Sequence, residues 1–64
     1  MTNPPLLGLT MRREFQNLTQ TAMAEVIDVT QSQYQKMEKG TTRLDIYRAA
    51  KLAKRLGCAI EELL

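Results

Sequence analysis

Two helix-start signals lie close together in residues 18–40, LTQTAMAEVIDVTQSQYQKMEKG, and a break in hydrophobic phase separates them. Leu18, Met23, Ala24 and Ile27 follow a helical spacing, which breaks at Asp28 and resumes from Val29 with Tyr34 and Met37 in a new phase. One long helix would keep its phase, so the stretch is read as two short helices joined by a tight turn. Thr19 is placed to cap the first helix, its hydroxyl oxygen accepting a backbone N–H that has no partner within the helix. Thr30 caps the second, and Gln33 three residues on completes a Thr-x-x-Gln capping box. Gly40 is the stop, since a left-handed residue ends a helix at least cost when it is glycine.

What surrounds this stretch must be its scaffold, and the inventory of side chains excludes most chemistry. The 64 residues make one domain, and a domain of this size buries only about 60% of the surface its unfolded chain exposes, so a second subunit would add welcome stability. No run approaches the roughly 18 apolar residues of a membrane span. With no histidine and a single cysteine, Cys58, the common metal-ligand sets, an intramolecular disulfide and the Ser-His or Cys-His nucleophilic arrangements are ruled out. Gly8, Gly40 and Gly57 stand alone, so no glycine-rich phosphate loop is present. Glu61 and Glu62 are adjacent and diverge on a helix, which suits a solvated first turn rather than an acid/base pair. No catalytic, metal or cofactor site is expected. The lone cysteine, and an N-terminus without the charged and apolar regions of a signal peptide, point to a reducing cytoplasm.

Taken in order, residues 1–5 read as a flexible, extended lead-in because Pro4-Pro5 opposes a helix before Pro5, and the domain proper runs over residues 6–64. A first helix is expected from Leu6 or Leu7 to Gln16, with Leu7, Met11, Phe15 and then Leu18 as its core-facing stripe. The next helix runs from about Gln20 to Ile27, and Ala24 is small so that the two helices of the central motif can cross closely. On the helix that follows, turning by about 100° per residue, Thr30, Tyr34 and Met37 share one side while Ser32, Gln35, Lys36 and Lys39 share the other and Gln31 lies at the exposed start. That outer face is rich in hydrogen-bonding groups and nearly free of acid. Glutamine offers a donor and an acceptor together to an adenine edge, serine serves several bases, and lysine reaches guanine or phosphate. Tyr34 is read as core, its hydroxyl finding a partner at the edge.

The loop Thr41-Thr42-Arg43 offers hydroxyls and a guanidinium suited to phosphates. Asp45 is the N-cap of a helix to Leu56 that buries Ile46, Ala49, Ala50, Leu52, Ala53 and Leu56, and Gly57 ends it. Residues 36–55 carry seven basic and two acidic side chains, whereas residues 56–64 carry two acids and no base. A duplex would therefore attract the middle of the chain and repel its C-terminal end. Cys58 is expected to pack as a small apolar residue. Ile60, Leu63 and Leu64 exceed what a lone domain needs, which points to a dimer interface; the alternative is that they cap the core from below.

The pattern resembles the helix-turn-helix of the Cro/CI-type repressors, the XRE family, through Leu18-Thr19-Gln20, Met23-Ala24, Asp28-Val29, Thr30, Tyr34 and Met37-Glu38-Lys39-Gly40. Asp45-Ile46, Lys51-Leu52-Ala53-Lys54, Leu56-Gly57 and Ile60-Glu61-Glu62-Leu63-Leu64 extend the likeness at unshifted spacing. The resemblance implies an all-α, five-helix, lambda-repressor-like domain whose second and third helices form the helix-turn-helix. It implies base contacts from Gln31, Ser32 and Lys36 with Gln35 nearby, and a backbone clasp from the loop carrying Thr42 and Arg43. Gln20 would touch the DNA backbone and brace a neighbouring side chain. Asp28 stands where glycine is usual, at a position that needs a positive φ, which Asp tolerates better than most residues. The family's Leu-Arg pair in the first helix falls on Arg12-Arg13, or on Met11-Arg12 if the register is offset by one. An arginine there reaches a phosphate, pairs with Glu38, or simply solvates its face. The expected function is a DNA-binding transcriptional regulator, a repressor acting as a homodimer on an inverted repeat. The alternative is an antitoxin or adaptor whose partner is a toxin or effector protein.

Overall fold

A computed structural model describes residues 4–64, in which α1 (Leu7–Phe15), α2 (Gln20–Val26), α3 (Gln31–Lys39) and α4 (Ile46–Leu56) are followed by one 3₁₀ turn, Ile60–Leu63. The described residues contain no strand. Pro4 and Pro5 lie outside any helix and are exposed, and residues 1–3 of the expected lead-in lie outside the described residues. The expectation of five helices is corrected to four. The last element is four residues long, and Glu62 N–H donates to Ala59 O (3.1 Å), closing the tighter i→i+3 ring of a 3₁₀ turn.

The helix ends in the middle of the chain follow local chemistry. Thr19 Oγ1 accepts from Ala22 N (3.0 Å), and Thr30 Oγ1 accepts from Gln33 N (3.1 Å) while Gln33 Oε1 accepts from Thr30 N (3.0 Å). Both halves of the capping box are thus made. Asp45 caps α4 by accepting from Arg48 N at 2.8 Å, and Gly40 and Gly57 end α3 and α4 at φ of 81° and 74°. Asp28 has φ of 56°, the left-handed conformation expected of the turn. Asn17 has φ of 58° and ends α1 in the same way.

Helix α1 is rotated relative to expectation. Leu9 and Arg13, one turn apart, face the core, whereas Leu7, Met11 and Phe15 are exposed, Phe15 by 89%. The apolar stripe loses because a tertiary demand falls on the opposite face, where Arg13 meets the buried Glu38; Gly8, on the side of Met11 and Phe15, lies against the backbone of the C-terminal turn. Leu6 gives α1 no side-chain cap. Instead Gly8 N–H donates to Leu64 O (3.2 Å) and Leu6 N–H to Glu38 O (2.9 Å), so the helix start is satisfied by distant backbone. Arg13 rather than Arg12 is the arginine that pairs with Glu38.

Tyr34, Leu9, Met23, Leu52 and Leu63 are the largest fully buried side chains, flanked by Ala24, Ile27, Met37, Ala49, Ala53 and Leu56. Ala24 and Ala53 are buried where helices approach, as small residues permit. Ile46 is 62% exposed and Ala50 is exposed, so α4 buries a narrower stripe than its apolar content implied. Cys58 is half-buried against the core. Leu63 is only 2% exposed and Ile60 packs partly buried beside it, so both cap the core from below; Leu64, at 78%, faces outward.

Candidate nucleic-acid interface

The turn between α2 and α3 is held by Val29 N–H donating to Ala24 O at 3.0 Å, and it sets α3 across α2 with Tyr34, Met37 and Glu38 turned inward. Gln31, Ser32, Lys36 and Lys39 are exposed on the opposite side, with Gln35 half-buried at its margin. Beyond Gly40, Thr41 N and Thr42 N both donate to Lys36 O (2.9 and 3.2 Å), which ties the start of the loop to the end of α3. Thr42 and Arg43 are exposed there. Among the described residues, Lys36, Lys39 and Arg43 have no acidic side chain within ion-pair distance. The exposed residues of α3 thus share one side of that helix, the loop is tied to its end, and the three cations on this rim have no acidic partner. Arg12, by contrast, is paired with Glu62 at 3.3 Å and ties α1 to the C-terminal turn.

Behind that rim runs a hydrogen-bond chain that sequence reasoning found only in pieces. Glu38 is 5% exposed and Arg13 9%. Arg13 Nε donates to Glu38 Oε2 at 2.6 Å and Arg13 Nη2 to Glu38 Oε1 at 3.4 Å, while Arg13 Nη1 donates to Leu18 O at 2.8 Å. Gln20 Nε2 then donates to Glu38 Oε1 (3.3 Å), and Gln31 Nε2 donates to Gln20 Oε1 (2.6 Å). A buried ion pair is thus linked, through the first residue of α2, to the first residue of α3. Pairing with Glu38 was one of three roles open to an arginine of α1. Nothing in the sequence brings residues 13, 20, 31 and 38 together, because their spacings combine three helices.

Tyr34 departs from expectation. Its hydroxyl is buried without a hydrogen-bond partner, instead of reaching one at the edge of the core. Burial first, and then the neighbouring Glu38 carboxylate, push this phenol far above its ordinary value, so it stays protonated.

Burial also pushes the Glu38 carboxyl upward, but the hydrogen bonds of Arg13, the adjacent Tyr34 hydroxyl, the charge of Arg13 and the Gln20 amide together more than offset this and hold it below its ordinary value of 4.5. The Asp45 carboxyl is lowered as well, chiefly by the backbone N–H of Arg48. A carboxyl depressed by folding contributes stability that is present above its unfolded value and is lost as pH falls through the folded one. The melting temperature is therefore expected to be flat near neutrality and to drop below about pH 4.5. Thermal melts followed by circular dichroism check this, and Glu38→Gln should give the flatter acid limb; parallel limbs would remove Glu38 as its source.

A family model described as helix-turn-helix matches residues 9–63. An uncharacterized HTH-type transcriptional regulator of Sinorhizobium fredii is 47% identical over 45 residues, which are 70% of this chain and 32% of that protein. The chain thus spans about a third of the length of this curated relative. No helix of the described residues is long and apolar enough to cross a membrane.

Proposed function

From the premise that the chain belongs to the XRE-type helix-turn-helix family, we propose that residues 6–64 act as one sequence-specific, DNA-binding unit of a cytoplasmic transcriptional repressor. The observation that carries this reading is the division of α3. Its inner face is locked into the core by Tyr34, Met37 and the Arg13–Glu38 pair, while its outer face presents Gln31, Ser32, Gln35, Lys36 and Lys39 without an acid among them. A rigid helix with such a face can enter a major groove and offer donors and acceptors to base edges. Gln20, Thr42 and Arg43 flank it and serve the phosphates.

Selection from a random duplex pool tests the reading directly. Recovery of an inverted repeat with half-sites about 34 Å apart is expected, since two-fold dimers place their recognition helices on successive turns of one groove face. Recovery of no preferred sequence would move the weight to a toxin or effector protein as partner. Gln31→Ala should weaken binding at particular bases by about 1 to 3 kcal/mol, whereas Arg43→Ala should weaken all duplexes alike and lower the salt slope by about 1. Binding titrations on matched and mismatched duplexes separate the two, and a uniform loss from the glutamine change would remove it as a base reader.

The homodimer is proposed through the exposed Leu64 together with Ile46 and Tyr47, which share a groove with Pro5, Leu6 and Leu44. Leu64→Arg should then give a folded monomer with weakened operator binding. Sedimentation equilibrium checks it, and an unchanged mass would exclude this face. Leu63 is unsuitable for the same test because a charge placed there would disrupt the core.

A further inference from the structure

The inner end of the Arg13–Glu38–Gln20–Gln31 chain has a fixed direction, and the outer end inherits it. An ionised carboxylate can only accept hydrogen bonds. Glu38 takes two from Arg13, and it can take the third only if Gln20 turns its NH₂ group inward. The Gln20 carbonyl then points outward, and Gln31, 2.6 Å away, can pair with it only by giving up one N–H. What remains at the exposed end of Gln31 is its carbonyl oxygen and its second N–H. Which atom of each amide is oxygen thus follows from the charge at the buried end.

We propose that Glu38, which lies too deep to touch DNA, sets the sense in which Gln31 presents its amide and so directs that side chain to adenine. This deepens the DNA-binding reading and rests on it. Adenine offers an acceptor at N7 and a donor at N6, which the remaining carbonyl and N–H complement; guanine offers two acceptors, N7 and O6. A reversed chain, with the Gln31 carbonyl engaged by Gln20, would leave only N–H groups outward and favour guanine. Glu38 is therefore a positioning residue acting through Gln20.

Glu38→Gln is the test, because an amide of the same shape can do what a carboxylate cannot. Its carbonyl stays on Arg13 Nε, the shorter of the two arginine contacts (2.6 against 3.4 Å), which gives up the hydrogen bond from Arg13 Nη2, leaves its NH₂ beside Gln20 and reverses every donor along the chain. Selection from a duplex pool with the folded full chain should then show the preference at one base position per half-site moving from adenine toward guanine. A good bidentate contact corresponds to about 5- to 150-fold discrimination, which sets the size of the change. The other positions should be unaltered. Gln20→Met keeps the Arg13–Glu38 pair and removes the relay, so it should lose the adenine preference without acquiring one for guanine. In the absence of DNA, the scalar coupling across the hydrogen bond should run from the Gln31 side-chain nitrogen to the Gln20 carbonyl in the wild type. It should run the other way in Glu38→Gln. A coupling whose direction does not change, or an adenine preference that survives both substitutions, overturns the proposal. A wild type that selects no sequence while its coupling runs as stated would instead overturn the DNA reading and leave the orientation by Glu38 standing.

Discussion

Replacing Glu38 by alanine should cost about 3 to 5 kcal/mol, the loss typical of a buried ion pair from which one partner is removed. The domain is too small to absorb it. At about 0.05 to 0.15 kcal/mol per residue, the whole stability of a chain of this length is only about 3 to 10 kcal/mol. The loss is large because Arg13 would keep its charge, at 9% exposure, with only the Leu18 carbonyl accepting from it and the solvent-exposed Glu14 carboxylate, 3.9 Å away, as its remaining charge partner. Gln20 would lose its acceptor at the same moment. Urea denaturation followed by circular dichroism measures the change. A loss under about 1 kcal/mol would mean that water screens the pair as it does a surface pair. The double change Arg13→Met with Glu38→Leu gives the complementary result. By removing both charges and filling their volume it should recover most of the stability, as apolar replacement of buried pairs often does. The same double variant would leave Gln20 and Gln31 without a fixed amide direction, so fold and base preference would separate.

The parts of this molecule that were legible in the sequence are those whose determinants are local. Thr19, Thr30 with Gln33, Asp45, Gly40 and Gly57 each satisfy or terminate a helix within four residues of themselves, and the boundaries of α2, α3 and α4 follow. The left-handed turn at Asp28 was legible for the same reason, while Asn17, whose φ of 58° beyond α1 is also positive, carries no such signal in the sequence. Helix α1 defeated the periodicity because its orientation is decided elsewhere in the chain. Met11 and Phe15 form the better apolar stripe, yet an ion pair across 25 residues turns the other face, that of Leu9 and Arg13, inward. The outer face of α3 could be laid out from residue spacing alone, and Gln31, Ser32, Lys36 and Lys39 are exposed along it. The relay behind them could not, since hydrogen bonds between three helices leave no periodic trace. The fifth helix was implied only by the family resemblance, and the segment Ile60–Leu63 forms a 3₁₀ turn.

Gly8→Ala should be nearly as damaging, at about 3 kcal/mol, the upper end of the cost of overpacking. Gly8 is the second residue of α1 and its φ is ordinary for a helix, so backbone freedom is not the reason for a glycine. The reason is proximity. A Cβ built there would lie 2.1 Å from Glu62 O, 2.7 Å from Leu64 O and 2.9 Å from Leu63 C. All three are backbone atoms, which cannot rotate aside as a side chain would. The same approach lets Gly8 N–H donate to Leu64 O at 3.2 Å, and it positions Arg12 to pair with Glu62. Alanine would push the 3₁₀ turn away from α1, break that hydrogen bond and draw Leu63, a fully buried core residue, toward solvent. In an exposed helix the same change would be stabilising by up to about 1 kcal/mol, because alanine is the better helix former. The sign of the effect therefore discriminates. A melting temperature that rises in Gly8→Ala would show that the C-terminal turn does not pack on α1, and with it the placement of Leu63 in the core would fail. A fall accompanied by faster amide hydrogen exchange at Glu62 and Leu64 than at Tyr34 would locate the damage at this contact, since amides exchange by local opening where packing is lost and by global unfolding in the core.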